Sequence, residues 1–209
     1  MLDLTVPSLD LSQGERLISP DYKADFRRQD AEIRGRSSWK LERLQHFEER
    51  NDPSRDALRR GDWDAALRLL EEEREGLLES TRQDEERDNP FHRVRVVEEP
   101  LTAYVQWELH ALRIQAECGR PIRVVDAREV AALEAEGPLP EVVILGGETL
   151  YRVHYTHEGV PDGATRFTDR DTIAPWEALI EALYAGGEDV IPYVQRRVEP
   201  LPPPRLTGR

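Results

Sequence analysis

The most clearly patterned stretch of the chain runs through residues 92–119, where an apolar run is followed by a Glu-Glu-Pro break and a long amphipathic segment. The run at residues 94–97 is typical of a buried strand. The segment after Pro100 is apolar over much of its circumference and is closed by Gly119, which predicts a largely buried helix. A second apolar run at residues 122–125 then predicts a strand parallel to the first.

The residues after this strand–helix–strand unit predict further β-strands. Three further strands are expected, and a Gly146-Gly147 hairpin joins the first two of them. The predicted strands are residues 142–145, 149–156 and 164–167, with a short helix before them at residues 127–136. A last helix passes through Trp176 and stops at Gly186-Gly187. The second half of the chain therefore reads β-α-β-α-β-β-β, which indicates a mixed sheet.

The first half of the chain has mostly helical patterns. A helix is predicted from Ser19-Pro20 to Ile33 or Arg34, a short one from residue 53 to residue 60, and a long one from Asp62. The sequence around Gly61, LRRGDWDAALRLLEEE, is similar to one corner of a tetratricopeptide unit. Because only one such corner is visible, a helical hairpin is favoured over a repeat. The segment SSWKLERLQHF suits a helix or a strand, and we favour a strand at its start.

These patterns predict an α+β or α/β fold with a helical N-terminal half and a mixed-sheet domain after it. Residues 1–19 are expected to be a flexible arm and residues 20–88 a mainly helical region. Residues 89–198 are expected to form the mixed-sheet α/β domain, and residues 199–209 a disordered Pro-rich tail.

Composition narrows the classes of function. The chain has 29 Lys and Arg against 42 Asp and Glu, a net charge of -13, so direct nucleic-acid binding is not expected. Lysine occurs only at Lys23 and Lys40, which we interpret as codon bias from a high-G+C genome. A single cysteine, Cys118, allows no intrachain disulfide. No apolar run approaches the ~20 residues of a membrane span and no signal sequence is visible, which predicts a cytoplasmic protein without membrane contact.

The sequence contains no phosphate-binding loop, dinucleotide fingerprint, zinc-protease motif or nucleophile elbow. His154 and His157 are the most metal-like pair, but their spacing on a strand directs them to opposite faces. Cys118 closes a buried helix, where an inert thiol is typical. The sequence thus predicts no catalytic residue, no metal site and no cofactor, and it argues against an enzyme.

The best polar constellation lies at the strand–helix junction and comprises Arg93, Arg95, Glu99, Tyr104 and Glu108. Two guanidinium groups on one strand face beside a helix N-terminus could bind a small molecule or an anion. The structural interpretation is favoured, in which Arg95 pairs with Glu99 or Glu108 and so fastens the strand to the helix.

The motif RVRVVEEPLTAYVQWEL, followed by Gly119 and the strand around Arg123, resembles the signature of an actinobacterial family defined by a domain of unknown function. The resemblance covers roughly residues 39–176. It implies an accessory or regulatory role, since such proteins are commonly encoded beside helix-turn-helix transcriptional regulators. Relatives carry an aromatic strand where this chain reads EVVILG at residues 141–146. The strand order is also similar to that of the phospholipase-D-like fold, although the chain lacks an HxK motif.

The expected function is therefore that of a non-enzymatic cytoplasmic accessory or regulatory protein acting through protein contacts, with a helix-turn-helix regulator as the expected partner. A sensor that binds a small molecule or anion at the Arg93/Arg95 face is the second hypothesis. An unusual biosynthetic-cluster enzyme that uses scattered carboxylates is the third. The sequence leaves the oligomeric state open.

Overall fold

The computed structural model describes residues 4–204 and arranges them around one mixed β-sheet. Its strands are β1 (Glu15–Leu17), β2 (Ser38–Glu42), β3 (Phe91–Val97), β4 (Ile122–Asp126), β5 (Glu141–Leu145), β6 (Thr149–Tyr155), β7 (Pro161–Phe167) and β8 (Glu188–Asp189). Its α-helices are α1 (Ser19–Glu32), α2 (Pro53–Arg59), α3 (Trp63–Glu72), α4 (Arg74–Glu86), α5 (Ala103–Glu117), α6 (Ala127–Val130), α7 (Arg170–Gly186) and α8 (Val190–Arg197). The predicted α+β class with a mixed sheet is confirmed.

The strand order is β1-β7-β6-β5-β2-β3-β4-β8. Strand β3 lies parallel to β2 and to β4, whereas the other neighbouring strands are antiparallel. The predicted parallel pairing of β3 and β4 through α5 is therefore confirmed. Gly146 and Gly147 both have positive φ, 54° and 66°, and they form the predicted hairpin turn between β5 and β6. Such a turn favours glycine because it has no Cβ to clash with the backbone.

One face of the sheet, which we call the α7 face, is covered by helix α7. Alternate residues of β2, β3 and β5 point to this face, including Leu41, Val94 and Ile144, which are completely buried. Trp176 and Ile180 of α7 pack against them. Asp169 caps the helix, because its side chain accepts a hydrogen bond from the backbone N–H of Thr172. This side of the sheet is a continuous apolar core.

The opposite face, which we call the cleft face, is covered by two separate groups of helices. Helix α1 packs over β5, β6 and β7 around Ile33 and Tyr151. Helix α5 lies over the other half of the sheet, packed against α3, α4 and α8, around Val97 and Val124. Between the two groups, the middle residues of β2 and β3 that point to this face are charged: Lys40, Glu42, Arg93 and Arg95. The fold thus leaves a gap above the middle of the sheet.

The structure differs from the expected division of the chain. Strand β1 lies within the segment expected to be a flexible arm, and it pairs with β7 at the edge of the sheet. Strand β2 comes from the region expected to be mainly helical and lies between β5 and β3. It confirms the strand favoured at the start of SSWKLERLQHF. Strand β1 has three residues, which is too short for the alternation of apolar and polar positions to be recognised. Strand β2 has five residues and shows this alternation only weakly. Residues 1–3 and 205–209, at the ends of the expected arm and tail, lie outside the described residues.

Two predicted helices are shorter than expected. The long helix from Asp62 is divided at Glu73, whose backbone N–H bonds to the carbonyl of Leu70, so α3 and α4 do not share one apolar side. Leu78 is accordingly 52% exposed. The helix expected at residues 127–136 ends at Val130. There the carboxylate of Glu134 accepts a hydrogen bond from the backbone of Leu139, which holds the next residues in turns.

Within residues 4–204, none of the helices has the length and apolar character needed to cross a bilayer.

Candidate functional site

The cleft face carries its charges on β2 and β3 in matching register. Lys40 of β2 is the partner of Arg93 on β3, and Glu42 is the partner of Arg95. Since side chains alternate along a strand, all four project from the same face of the sheet. The Glu42 carboxylate lies 2.5 Å from the ammonium of Lys40 and 3.5 Å from a guanidinium nitrogen of Arg93. A buried carboxylate thus holds two cations side by side.

Arg95 is fully buried beneath helix α5 and forms an ion pair with Glu108 of that helix. Its Nε and Nη2 lie 2.8 Å and 2.7 Å from one Glu108 oxygen, and its Nη1 donates to the carbonyl of Val96. The Tyr104 hydroxyl lies 3.3 Å from the other oxygen of Glu108. Burial and the charge of Glu108 raise the pKa of Tyr104 well above its ordinary value, so the phenol stays protonated and can donate. These residues join β3 to α5.

Three buried carboxylates surround Arg95 and titrate differently. Burial works against ionisation of Glu42, but the charges of Arg93, Lys40 and Arg95 outweigh it and lower the pKa of Glu42 to about 2. Burial raises the pKa of Glu108, against the attraction of Arg95. Burial and the charge of Glu42 raise the pKa of Glu141 to about 7, although its carboxylate accepts two backbone hydrogen bonds. The Glu42 charge is therefore permanent, whereas Glu141 changes its charge near neutral pH.

Above the charged strands lies an open cleft of about 510 Å³, which we call the basic cleft. Its floor is formed by β2, β3, β5 and β6, one wall by α1, and the other wall by α4 and the loop before β4. Five cations line it, with Lys40, Arg93 and Arg120 half-buried inside and Lys23 and Arg27 exposed at the rim. Four aromatic side chains also line it: Tyr22, Phe26, Phe91 and Tyr155. The volume is in the range of small-molecule sites.

Two acids, Asp30 and Asp84, also line the basic cleft. Both are bound by Arg87, which lies 3.4 Å from Asp30 and 2.5 Å from Asp84 and links the C-terminal parts of α1 and α4. The acids of the cleft are therefore engaged by a neighbouring guanidinium. Among the described residues, Lys23, Arg27 and Arg120 form no ion pair within 4 Å. A concentration of positive charge in a chain of net charge -13 favours an anionic ligand.

The five residues predicted from the sequence are only partly brought together. Arg93 lines the basic cleft, and Arg95, Tyr104 and Glu108 form the buried link to α5 just beyond it. Glu99 lies apart from them on the surface, where it forms an ion pair with Arg197 of α8. Arg93 and Arg95 share one face, as predicted. Of the two partners considered for Arg95, the structure selects Glu108.

Sequence reasoning missed four of the five cations of the basic cleft. Lys23 and Arg27 are four residues apart on α1 and therefore share one side of that helix. Lys40 comes from β2, and Arg120 comes from the loop that precedes β4. The available signal was the distribution of lysine, because both lysines of the chain line the same cleft. The codon bias suggested above would account for few lysines but not for their placement in one cleft.

The remaining candidates from the sequence have structural surroundings. His154 lies 2.8 Å from the hydroxyl of Thr165 and 2.9 Å from a guanidinium nitrogen of Arg152. Cys118 is buried in the core around α5. In the part of the chain that the structure describes, no three His, Cys, Asp or Glu side chains are grouped for a metal ion.

Most of the chain matches a known protein family. The model of a family described as a domain of unknown function, DUF6879, matches residues 24–195. The chain belongs to this family. The match covers α1 from residue 24 on, the sheet from β2 to β8, and α8 as far as residue 195. Every residue named above as lining the basic cleft, except Tyr22 and Lys23, therefore lies within the DUF6879 domain. A search of curated proteins found no match.

Proposed function

We propose that this DUF6879 protein binds a small organic anion in the basic cleft. The observation that carries the proposal is the convergence of five cations and four aromatic rings on one cleft of an acidic chain. Cations supply the attraction for an anionic group, and aromatic side chains supply a surface for an apolar body. Among the described residues, the two acids that line the cleft, Asp30 and Asp84, are both paired with Arg87, and binding is therefore proposed in place of acid–base catalysis.

The permanent charge of Glu42 supports this role. Lys40 and Arg93 would repel one another without a carboxylate beneath them, and Glu42 holds both while leaving their outer faces to the cleft. Lys40 is 26% exposed and Arg93 17%, so both remain accessible to a ligand. Such an arrangement prepares the cations before the ligand arrives, which lowers the entropic cost of binding.

Titration with the aromatic sulfonate 8-anilinonaphthalene-1-sulfonate, followed by its fluorescence, tests this function. Replacing Arg93 with Gln is expected to raise the dissociation constant at least about tenfold, equivalent to roughly 1.4 kcal/mol, because one inner cation is lost. Lys40→Gln is expected to act in the same direction. Raising the salt concentration should weaken binding to the wild type.

Two controls distinguish binding in the basic cleft from non-specific binding of the dye. Arg82→Gln removes an exposed cation of α4 that pairs with Glu79 and does not line the basic cleft, so it should leave the dissociation constant unchanged. The neutral analogue N-phenyl-1-naphthylamine keeps the rings and lacks the sulfonate, and it should bind much more weakly. Equal affinity of wild type, Arg93→Gln and Lys40→Gln for the sulfonate would contradict the proposal.

The expected accessory role with a helix-turn-helix regulator stays a prediction, as do the actinobacterial origin and the genomic neighbourhood implied by the resemblance. A ligand-binding cleft is compatible with such a role, because a regulator's partner can carry the metabolite signal. Co-purification of the protein with the regulator encoded beside it, with and without an aromatic anion, tests this association. Failure to associate under both conditions would remove the regulatory hypothesis and leave the binding proposal intact.

A further inference from the structure

Three cations of the basic cleft converge at one end of it. Lys40 and Arg93 are register partners on adjacent parallel strands. The backbone N–H of Arg93 donates to the carbonyl of Pro121 at 2.9 Å, which brings the loop that carries Arg120 beside Arg93. The three side chains come from three separate segments of the chain. All three line the basic cleft, and we call them the inner cation group.

Arg120 is held in this group without a full set of partners. Its Nη2 donates to the hydroxyl of Ser80 on α4 at 2.8 Å, whereas its Nε is buried and has no hydrogen-bond acceptor among the described residues. Burial and the nearby charge of Arg93 lower the pKa of Arg120, against the attraction of Asp84. A buried guanidinium N–H without an acceptor is costly, and a ligand oxygen would satisfy it.

The charge around the cleft matches a ligand with more than one negative charge. The five lining cations and Arg87 exceed the three nearby carboxylates, Glu42, Asp30 and Asp84, by three. A monoanion would leave much of this repulsion in place. A phosphate monoester carries close to two negative charges at neutral pH and presents three terminal oxygens, one for each member of the inner cation group.

The rest of the cleft fits a flat apolar body. Tyr22 and Phe26 of α1 stand edge to face, and both approach Tyr151 beneath them, so this aromatic wall is fixed by packing. Phe91 and Tyr155 extend the aromatic surface along the floor. Aromatic rings of a ligand gain both apolar burial and ring contacts at such a surface.

We infer that the ligand of the basic cleft is a phosphate monoester of an aromatic compound, with the phosphate bound by Lys40, Arg93 and Arg120 and the ring packed against the wall formed by Tyr22 and Phe26. This inference rests on the proposed anion-binding function and names its ligand class. A nucleoside monophosphate is the common metabolite of this class that suits the volume of about 510 Å³.

Isothermal titration calorimetry with matched ligands tests the ligand class. Adenosine 5′-monophosphate and phenyl phosphate supply the phosphate monoester on a large and a small ring. Adenosine lacks the phosphate group, and inorganic phosphate lacks the aromatic ring. Adenosine 5′-carboxylate keeps the nucleoside but carries only one negative charge. At least one of the two esters is expected to bind at least about tenfold more tightly than all three comparison ligands.

Variants of the chain locate the phosphate. Arg120→Gln and Lys40→Gln should each weaken binding of the ester at least about tenfold while leaving binding of adenosine unchanged, and Arg82→Gln should change neither. Thermal unfolding shows whether each variant is folded, and either of the two cleft variants suffices for the test.

The outcomes separate the ligand class from the function itself. Equal binding of the ester and the carboxylate, or failure of both esters while the aromatic sulfonate still binds, would overturn the phosphate inference and leave the anion-binding function standing. Failure of the esters and of the sulfonate together would remove both.

Discussion

Replacing Arg95 with Met is expected to lower the free energy of unfolding by about 3–5 kcal/mol at neutral pH, the range for breaking a buried ion pair on one side only. Arg95 is fully buried, and Met preserves much of its volume. Without the guanidinium, Glu108 is left buried without its counterion, and Glu42 and Glu141 lose an attractive charge. Urea unfolding followed by circular dichroism measures the change.

A double variant distinguishes the ion pair from packing. Arg95→Met combined with Glu108→Met removes both charges and should recover most of the lost stability, since buried ion pairs are often replaceable by apolar side chains. Arg93→Gln is the single-charge control, and a smaller loss is expected because Arg93 is 17% exposed and its charge is partly solvated. A loss below about 1 kcal/mol for Arg95→Met would show that the link between β3 and α5 is not structural.

Replacing Glu141 with Gln is expected to raise stability at pH 8 by about 3 kcal/mol relative to its effect at pH 4.5. The pKa of Glu141 is raised from 4.5 to about 7 in the folded protein, so the folded state keeps a proton that the unfolded chain releases. The wild type therefore loses stability as pH rises from about 4.5 through 7, at 1.36 kcal/mol for each unit of pKa difference. Glutamine stays neutral and keeps an oxygen to accept from the backbone of Arg43 and Leu44.

The measurement is urea unfolding of the wild type and of Glu141→Gln at several pH values between 4.5 and 8. The matched control is Glu158→Gln, which replaces an exposed side chain on the turn between β6 and β7 and is expected to change the free energy of unfolding little. Glu42, Arg95 and Tyr155 share the charge environment of Glu141, so the comparison of the two proteins at each pH removes their common contribution. A constant difference between wild type and Glu141→Gln across this range would contradict the raised pKa.

The fold could be predicted from the sequence wherever the apolar positions followed either the helical or the strand period clearly. The apolar run of β3, the break at Glu98-Glu99-Pro100 and the long apolar pattern of α5 specify a buried strand and helix, and β4 follows them in parallel. The Gly146-Gly147 turn specified the hairpin of β5 and β6. Strand β2 was harder to recognise, because Lys40 and Glu42 alternate with Trp39 and Leu41 over five residues only. Its central place in the sheet is set by partners far away in the chain.

The candidate site could be predicted only in part for the same reason. Arg93 was accessible to sequence reasoning because it lies next to the strand–helix junction, whereas Lys40 and Arg120 reach it through strand pairing and a loop. The alternation of Arg93 and Arg95 placed both on one face, but it could not show that α5 covers one and leaves the other at the cleft. Burial separated their roles, and burial depends on tertiary packing.

The central claim is that the basic cleft binds an aromatic anion, and acylation of lysine tests it most directly. Lys23 and Lys40 are the only lysines in the chain, and both line the basic cleft. Brief treatment with an acetylating N-hydroxysuccinimide ester, followed by peptide mass spectrometry, gives the modification rate at each lysine. An aromatic anion at saturating concentration is expected to slow modification at both, and more at the half-buried Lys40 than at the exposed Lys23. Unchanged rates at both lysines while the anion is bound would place it elsewhere and contradict the account.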